Sequence, residues 1–284
     1  MTVNCQDAAA IPKVSEAGCV VYRNENEVQI MHNGVQVISG GYCGAWMTEI
    51  IHRLRGHHEP QEEIVFQEIV NLMPDSPKMI ELGCNWAYYS LWMLQERPQA
   101  TVIGVEPDPK HLDLGRRNAA LNGRSISFVN ASVGAQAIQW RLFQTETMGV
   151  ISIPQVCVPQ LMAEAGLAEI DVLHCDIQGA ETEVLNSCRS LFEAGAIRFC
   201  IVSTHHHSIS GDPLTHQRCL KIIEEAGGNL LTEHNVAESF SGDGLIAAYF
   251  GKESLRFPKI NMSYNRSGKG LFRDPLFDLA EMCR

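Results

Sequence analysis

Between residues 26 and 39, in "NEVQIMHNGVQVIS", apolar and polar positions alternate on either side of Asn33-Gly34. A period of two marks half-buried strands, and Asn-Gly is the dipeptide that a tight type I′ hairpin turn prefers. Residues 1–56 are therefore expected to form a small N-terminal β extension. At "EPQEEIVFQEIVNLM" the period changes. Pro60 suits a first helical turn, Glu62 and Glu63 complement the helix dipole, and Val65, Ile69 and Leu72 share one face.

Beyond this helix, short β-rich runs alternate with helical ones: "KMIEL", "YYSLWMLQER", "TVIGVE", "KHLDLGRRNAALN", "SISFVNA", "IDVLHCD", "AETEVLNSCRSLFEAG", "IRFCIVST" and "THQRCLKIIEEAGG". Such alternation builds a parallel sheet covered by helices. The last two runs, "NLLTEH" and "GLIAAYF", are joined by a loop too short for a crossover helix, so they should pair antiparallel. The expected fold is α/β, a Rossmann-like doubly wound, mostly parallel seven-stranded sheet over 57–251, with a C-terminal tail over 252–284. The tail has seven Lys or Arg against four Asp or Glu and is expected to be a partly ordered surface segment.

Composition narrows the partners. A formal net charge of -11 opposes electrostatic capture of nucleic acid or an anionic membrane, which carry the same sign. A small neutral or cationic molecule fits better. No apolar stretch approaches the ~20 residues that cross a bilayer. Ten cysteines occur without a C-x-x-C pair, and "MTVNCQDAAAIPKV" lacks the regions of a signal peptide, so reduced thiols and a cytoplasmic location are expected.

Candidate chemistry begins at "IELGCNWAYYS". The strand ends near Glu81, Gly83 lets the backbone turn, and Asn85 and Ala87 stand where a dinucleotide loop would have further glycines to approach a pyrophosphate. Alone, one glycine after a strand reads equally well as a tight turn. The next strand, "TVIGVEPDP", ends in Glu106, where a carboxylate can accept both hydroxyls of a ribose. A nucleoside without phosphates suits this pair, and S-adenosylmethionine is of that kind.

On these residues the chain resembles the FkbM-type S-adenosylmethionine-dependent methyltransferases. "IELGCNWAYYSL" resembles their D-x-G-A-N-x-G-y-y-s motif, "VIGVEPDPKHLDLGRRNAALNG" their E-P-x-P helix and L-N-G, and "IDVLHCDIQGAETEVL" their k-i-D-v-E-G-a-E-x-x-v-L signature. The likeness spans about residues 59–250, with the segments in order. The departures are Ala87 for a glycine, His174 for a lysine and Gln178 for a glutamate. The resemblance implies a class I methyltransferase fold in which Glu81, Gly83, Asn85, Ala87 and Tyr88 line the methionine part of the cofactor. It likewise implies that Glu106 binds the ribose, that Pro107 and Asp108 shape the adenine side, and that Asp176 faces the sulfonium and acceptor. An acid at Asp176 would also serve as a helix cap. Of the aromatics Trp86, Tyr88 and Tyr89, all good core residues, Tyr88 is the one expected near the sulfonium. Ala87 is expected to take an ordinary right-handed conformation.

"CIVSTHHHSISGDPLTH" adds histidines at the carboxyl edge of the sheet. Solvated loop, general base for an acceptor hydroxyl, and a divalent metal held with Asp176 are three readings of it, the last without a closed zinc spacing. Asp176, His205 and His206 are taken as catalytic, with no metal assigned. The expected reaction is O-methylation of a hydroxyl on a sugar or other natural product, and a homodimer is compatible. A cofactor-binding protein without transfer activity is the rival suggested by His174 and Gln178, and a nicotinamide oxidoreductase is disfavoured by the glycine-poor turn.

Overall fold

The chain begins with a three-stranded antiparallel meander, β1 (Val20–Arg23), β2 (Asn26–Ile30) and β3 (Gln36–Ile38), followed by α1 (Ala45–Arg53) and α2 (Pro60–Asn71). The computed structural model describes residues 1–23, 25–267 and 270–272; the rest of the expected tail lies outside the described residues. The β2–β3 turn differs from the expected type I′. The Gly34 N–H donates to the Met31 carbonyl, and Gly34 has φ +87° while Asn33 stays at negative φ. A type I′ turn needs positive φ at both central residues, so the hairpin instead closes through a three-residue loop ending on left-handed glycine. His32 is buried in that loop, and its Nδ1 is 3.0 Å from the Tyr88 hydroxyl.

The expected N-terminal β extension packs against the helices that follow it. Met31, Val35 and Val37 share one apolar cluster with Ile51 of α1 and with Phe66 and Ile69 of α2. Burial of this kind contributes roughly 1.5–3 kcal/mol per large side chain. Two asparagines fasten the edge of β3. Asn118 accepts from the Ile38 N–H, and Asn122 both accepts from Gln36 N and donates to Gln36 O, so side-chain amides cover groups a further strand would have paired.

The rest of the chain runs β4 (Lys78–Leu82), α3 (Tyr88–Glu96), β5 (Thr101–Val105), α4 (Pro109–Leu121), β6 (Ser127–Val129), β7 (Ser132–Val133), β8 (Ile138–Thr145) and β9 (Gly149–Val156). It continues through α5 (Val158–Glu164), β10 (Ile170–Cys175), α6 (Glu181–Ser187), α7 (Arg189–Ala194), β11 (Ile197–Thr204), α8 (His207–Ser210), α9 (Thr215–Glu225), β12 (Asn229–His234) and β13 (Gly244–Tyr249). The expected single helix over 180–195 is two, meeting at Cys188. The seven-stranded sheet has the order β12-β13-β11-β10-β4-β5-β6, and β13 is antiparallel to both neighbours. Alternation decides its faces: Met79, Val172 and Phe199 pack into the cluster shared with the meander, while Ile80, Leu173 and Cys200 pack into the other.

Residues 132–156 form a separate three-stranded sheet, β7-β9-β8, for which the sequence pattern prepared no element. Trp140, Leu142 and Val150 stand exposed on it. Among the described residues no helix is long and apolar enough to cross a membrane.

The β4–α3 turn overturns the expectation for Ala87, which caps α3 at φ 62°, ψ 33°. A left-handed alanine is strained by ~1–2 kcal/mol, part of which a glycine would return as chain entropy and lost methyl packing. In urea titration, Ala87→Gly should raise the unfolding free energy by about 0.5 kcal/mol. A fall of about 1 kcal/mol or more would mean that the buried methyl outweighs the backbone strain.

Candidate active site

The carboxyl ends of β4, β5 and β10 open into one cavity of about 450 Å³. This is the crevice where the order of a doubly wound sheet reverses and ligands bind. Gly83 makes it possible. Its N–H and that of Cys84 donate to the Val105 carbonyl, φ is +75°, and a Cβ there would lie 1.7 Å from the Asp176 carbonyl oxygen. Only glycine allows β10 to approach this closely.

Three carboxylates surround the turn. Glu106, at the end of β5, accepts from Asn85 N (3.0 Å) and Asp108 N (2.8 Å), and burial pushes it up to about 7 against the pull of those two N–H groups. Glu81 accepts from the Ser90 N–H and hydroxyl, and burial likewise brings it to about 7. Burial alone would raise Asp108, but bonds from the Thr147 hydroxyl and N–H hold it below the usual range. Asp108 also caps α4 through the Lys110 N–H. Asn85 Oδ1 is buried and has no hydrogen-bond partner among the described residues.

Glu81, Gly83, Asn85, Glu106, Pro107 and Asp108 all line the cavity. Ala87 and Tyr88 do not line it. Tyr88 is fully buried and turned toward His32, because its ring is enclosed among Trp86, Trp92 and His58. Of the three aromatics of this turn, Trp86 and Tyr89 reach the cavity.

At the other end, Asp176 lines the cavity with its side chain 36% exposed. It caps no helix, since α6 starts at Glu181 with Ala180 as its cap. His205 stands behind it, 3% exposed and off the cavity wall, with Nε2 3.1 Å from Asp176 Oδ1 and Nδ1 2.6 Å from Glu181 Oε1. Asp243 lies 3.6 Å from the same Nε2. Burial opposes charge on His205, but Asp176, Glu181 and Asp243 overcome it and hold the ring protonated. Conversely, burial would raise Asp176, and the bond and charge of His205 keep it below the usual carboxylate range. His205 therefore does not face an acceptor as a neutral base. His206 turns away and caps α8, accepting from the Ser208 N–H. His216 lies between Thr204 and Glu233. Among the described residues no group of three or more His, Cys, Asp or Glu is arranged to hold a metal ion.

Several cavity residues went unrecognised in the sequence: Tyr42, His58 and Glu59; Gln178, noted only as a departure from the signature, also lines the cavity in a left-handed conformation (φ +53°) beside Gly179. The run His57-His58-Glu59 before the Pro60 helix was the available signal.

Residues 69–230 match the profile of the methyltransferase FkbM domain. The chain belongs to the FkbM methyltransferase family. The family's cofactor is S-adenosylmethionine. The chain is 29% identical over 151 residues to the 2-O-methyltransferase NoeI of Sinorhizobium fredii, covering 43% of this chain and 61% of NoeI. It is 36% identical over 163 residues to the methyltransferase sdnD of Sordaria araneosa, covering 42% of this chain and 62% of sdnD. The matches thus span less than two thirds of either relative. Among solved structures, precorrin-6y C5,15-methyltransferase from Geobacter metallireducens aligns with a TM-score of 0.43 at 13% identity, covering 66% of this chain and 86% of that one. The cavity fits the family's cofactor on its own residues: the orphan Asn85 Oδ1 is an acceptor waiting for a donor, and Gly83 keeps the wall free of side chain.

The charge state of His205 is directly measurable. Its folded pKa lies above the ordinary 6.5, so the stability it contributes is complete below that value and fades as pH rises through the folded pKa. Imidazole ¹⁵N chemical shifts should report a ring protonated at both nitrogens at about pH 8. A titration midpoint near the ordinary value would contradict the carboxylate cage.

Proposed function

We propose that the chain transfers the methyl group of S-adenosylmethionine to a hydroxyl of a sugar or another natural-product acceptor. The observation that carries this reading is one cavity with two differently built ends: a glycine turn with a ribose-type acid, and an ionised Asp176 backed by a protonated His205. NoeI, a 2-O-methyltransferase by name, supports oxygen as the accepting atom. When bound, the cofactor supplies an electrophilic methyl on a sulfonium. The carboxylate of Glu106 takes the ribose hydroxyls, Asn85 Oδ1 and Glu81 take the amino group, and Pro107 and Asp108 border the adenine. Ala87 and Tyr88, behind the wall, shape the turn rather than touch the ligand.

On the acceptor side Asp176 is the catalytic residue. Its carboxylate orients the hydroxyl and receives the proton as the oxygen–carbon bond forms; His205 is a positioning residue that keeps that carboxylate ionised and aimed. A positioned base contributes typically 10²- to 10⁴-fold. The rest is alignment of two reactants in one cavity.

Two tests follow from these roles. S-Adenosylhomocysteine at a hundredfold excess over its Kd should stabilise the chain by about 2.7 kcal/mol. Because Glu106 ionises only above about 7 in the ligand-free site, calorimetric affinity should rise between about pH 6 and pH 8, and Glu106→Ala should remove most of both affinity and slope. No stabilisation at saturating ligand would sink the cofactor assignment.

Turnover should discriminate the acceptor end. Asp176→Asn is expected to cut kcat by roughly 10²-fold or more while S-adenosylhomocysteine still binds. His205→Gln should lower kcat less and move the acid limb of kcat/KM to higher pH, since only His174 and His58 then oppose the rise that burial imposes on Asp176. An unmoved limb would show that His205 is structural only.

A further inference from the structure

Part of the cavity wall is built by a segment that precedes the family-matched region. Tyr42, His58 and Glu59 all come before residue 69, yet line the same cavity as Gly83 and Glu106. Glu59 is half-buried at the start of α2, with its Oε2 3.4 Å from His58 Nε2 and 3.4 Å from the Tyr89 hydroxyl. His58 is fixed from behind, because its Nδ1 lies 2.7 Å from Glu63 Oε1 and its backbone N–H donates to the same oxygen. The Tyr42 ring stacks on Trp86 at 4.6 Å and 5°, with the His58 ring edge-on to it. One face of Tyr42 is thus covered, and Trp86 is in turn backed by Tyr88.

None of these three residues has a role in holding the cofactor as described above. A rigid aromatic plate beside a carboxyl is the chemistry that receives a hydroxylated ring: its C–H face packs on the aromatic, and paired hydroxyls meet the carboxyl. Resting on the reading of the chain as an O-methyltransferase, we infer that Tyr42, His58 and Glu59 form the acceptor subsite, which takes a neutral pyranose with Tyr42 as platform and Glu59 as the hydroxyl-reading group. His58 is a positioning residue that sets the Glu59 carboxyl. Burial, reinforced by Glu62, Asp176 and Asp243, holds Glu59 well above the usual carboxylate range. A protonated carboxyl both donates and accepts, which matches two neutral hydroxyls better than an ammonium group. Burial and the carboxylates of Glu59, Asp176 and Asp243 also raise the Tyr42 hydroxyl, in keeping with one shared space.

The test uses the full chain, S-adenosylmethionine and a panel of methyl pyranosides of gluco, galacto, manno and 6-deoxy configuration, with 2-amino sugars as the cationic arm. Release of S-adenosylhomocysteine gives kcat and KM, and calorimetry gives S-adenosylhomocysteine affinity. At least one neutral glycoside should accelerate release more than its amino counterpart. For that glycoside Glu59→Ala and Tyr42→Leu should each raise KM by about tenfold with a smaller change in kcat, leaving S-adenosylhomocysteine affinity within about twofold. If Tyr42→Leu does not fold, Glu59→Ala decides alone. An unchanged KM, a matching loss of S-adenosylhomocysteine affinity, preference for the amino sugar, or no turnover of any glycoside by a wild-type chain that binds S-adenosylhomocysteine would each overturn the subsite. Failure of the wild-type chain to bind S-adenosylhomocysteine would instead strike at the methyltransferase reading itself.

Discussion

Two adjacent carboxylates on the first turn of α2 tie the sheet to the segment that precedes it. Glu62 lies 2.6 Å from His174 Nε2 on β10 and accepts from the Ser203 hydroxyl, also at 2.6 Å, on β11. Glu63 faces the other way and takes His57 and His58, both through Nδ1. Successive helical residues point about 100° apart, so one turn can serve two directions. An unpaired buried carboxylate costs several kcal/mol, and breaking such a pair typically costs about 3–5 kcal/mol. Here both oxygens of each group are engaged. Burial alone would raise Glu63, but the two histidines hold it far below the usual range. The arrangement tolerates no sliding of α2 against the sheet, because any shift would strand buried charge.

That constraint reaches the site through side-chain direction. His174 and Asp176 are two residues apart at the end of β10, and the Tyr89 ring lies 4.4 Å from His174. By gripping His174, Glu62 sets the depth at which α2 and its leading residue Glu59 approach the cavity. The charges then alternate outward: Glu62 with His174, Asp176 with His205, His205 with Glu181. Alternation lets a region this acidic keep Asp176 ionised, since each carboxylate has a cationic or hydrogen-bonding neighbour.

The sheet was legible because its signal is local. Strand runs, helical runs and the short β12–β13 connection are each read within a dozen residues or so, and the resulting seven mostly parallel strands with an antiparallel last strand agree with the structure. The glycine turn and Glu106 were legible for the same reason. What escaped depends on partners far along the chain: Glu62 meets His174 and Ser203 across 112 and 141 positions, so its acids read only as dipole complements. In "IQWRLFQT" alternation exists, but Trp140 and Leu142 face outward while Phe143 faces the cavity, which inverts the usual inference from apolarity to core. For Ala87 composition argued the wrong way: a methyl side chain suggested ordinary helix, and tertiary packing imposed a left-handed cap instead.

The two ends of the cavity were unequally legible because they are made of different material. The end proposed for the cofactor is backbone and short spacing: a glycine that lets two strand ends approach, N–H groups that orient Glu106, one acid per strand terminus. Such geometry leaves a motif in the sequence. The end proposed for the acceptor is assembled from side chains on the loop after β3, the start of α2, and the end of β10, and no contiguous stretch of sequence carries it. A ligand common to many enzymes can be held by the first kind of construction, whereas discrimination between similar acceptors needs the second, because hydrogen-bonding side chains left unpaired by the wrong substrate impose the penalty that rejects it.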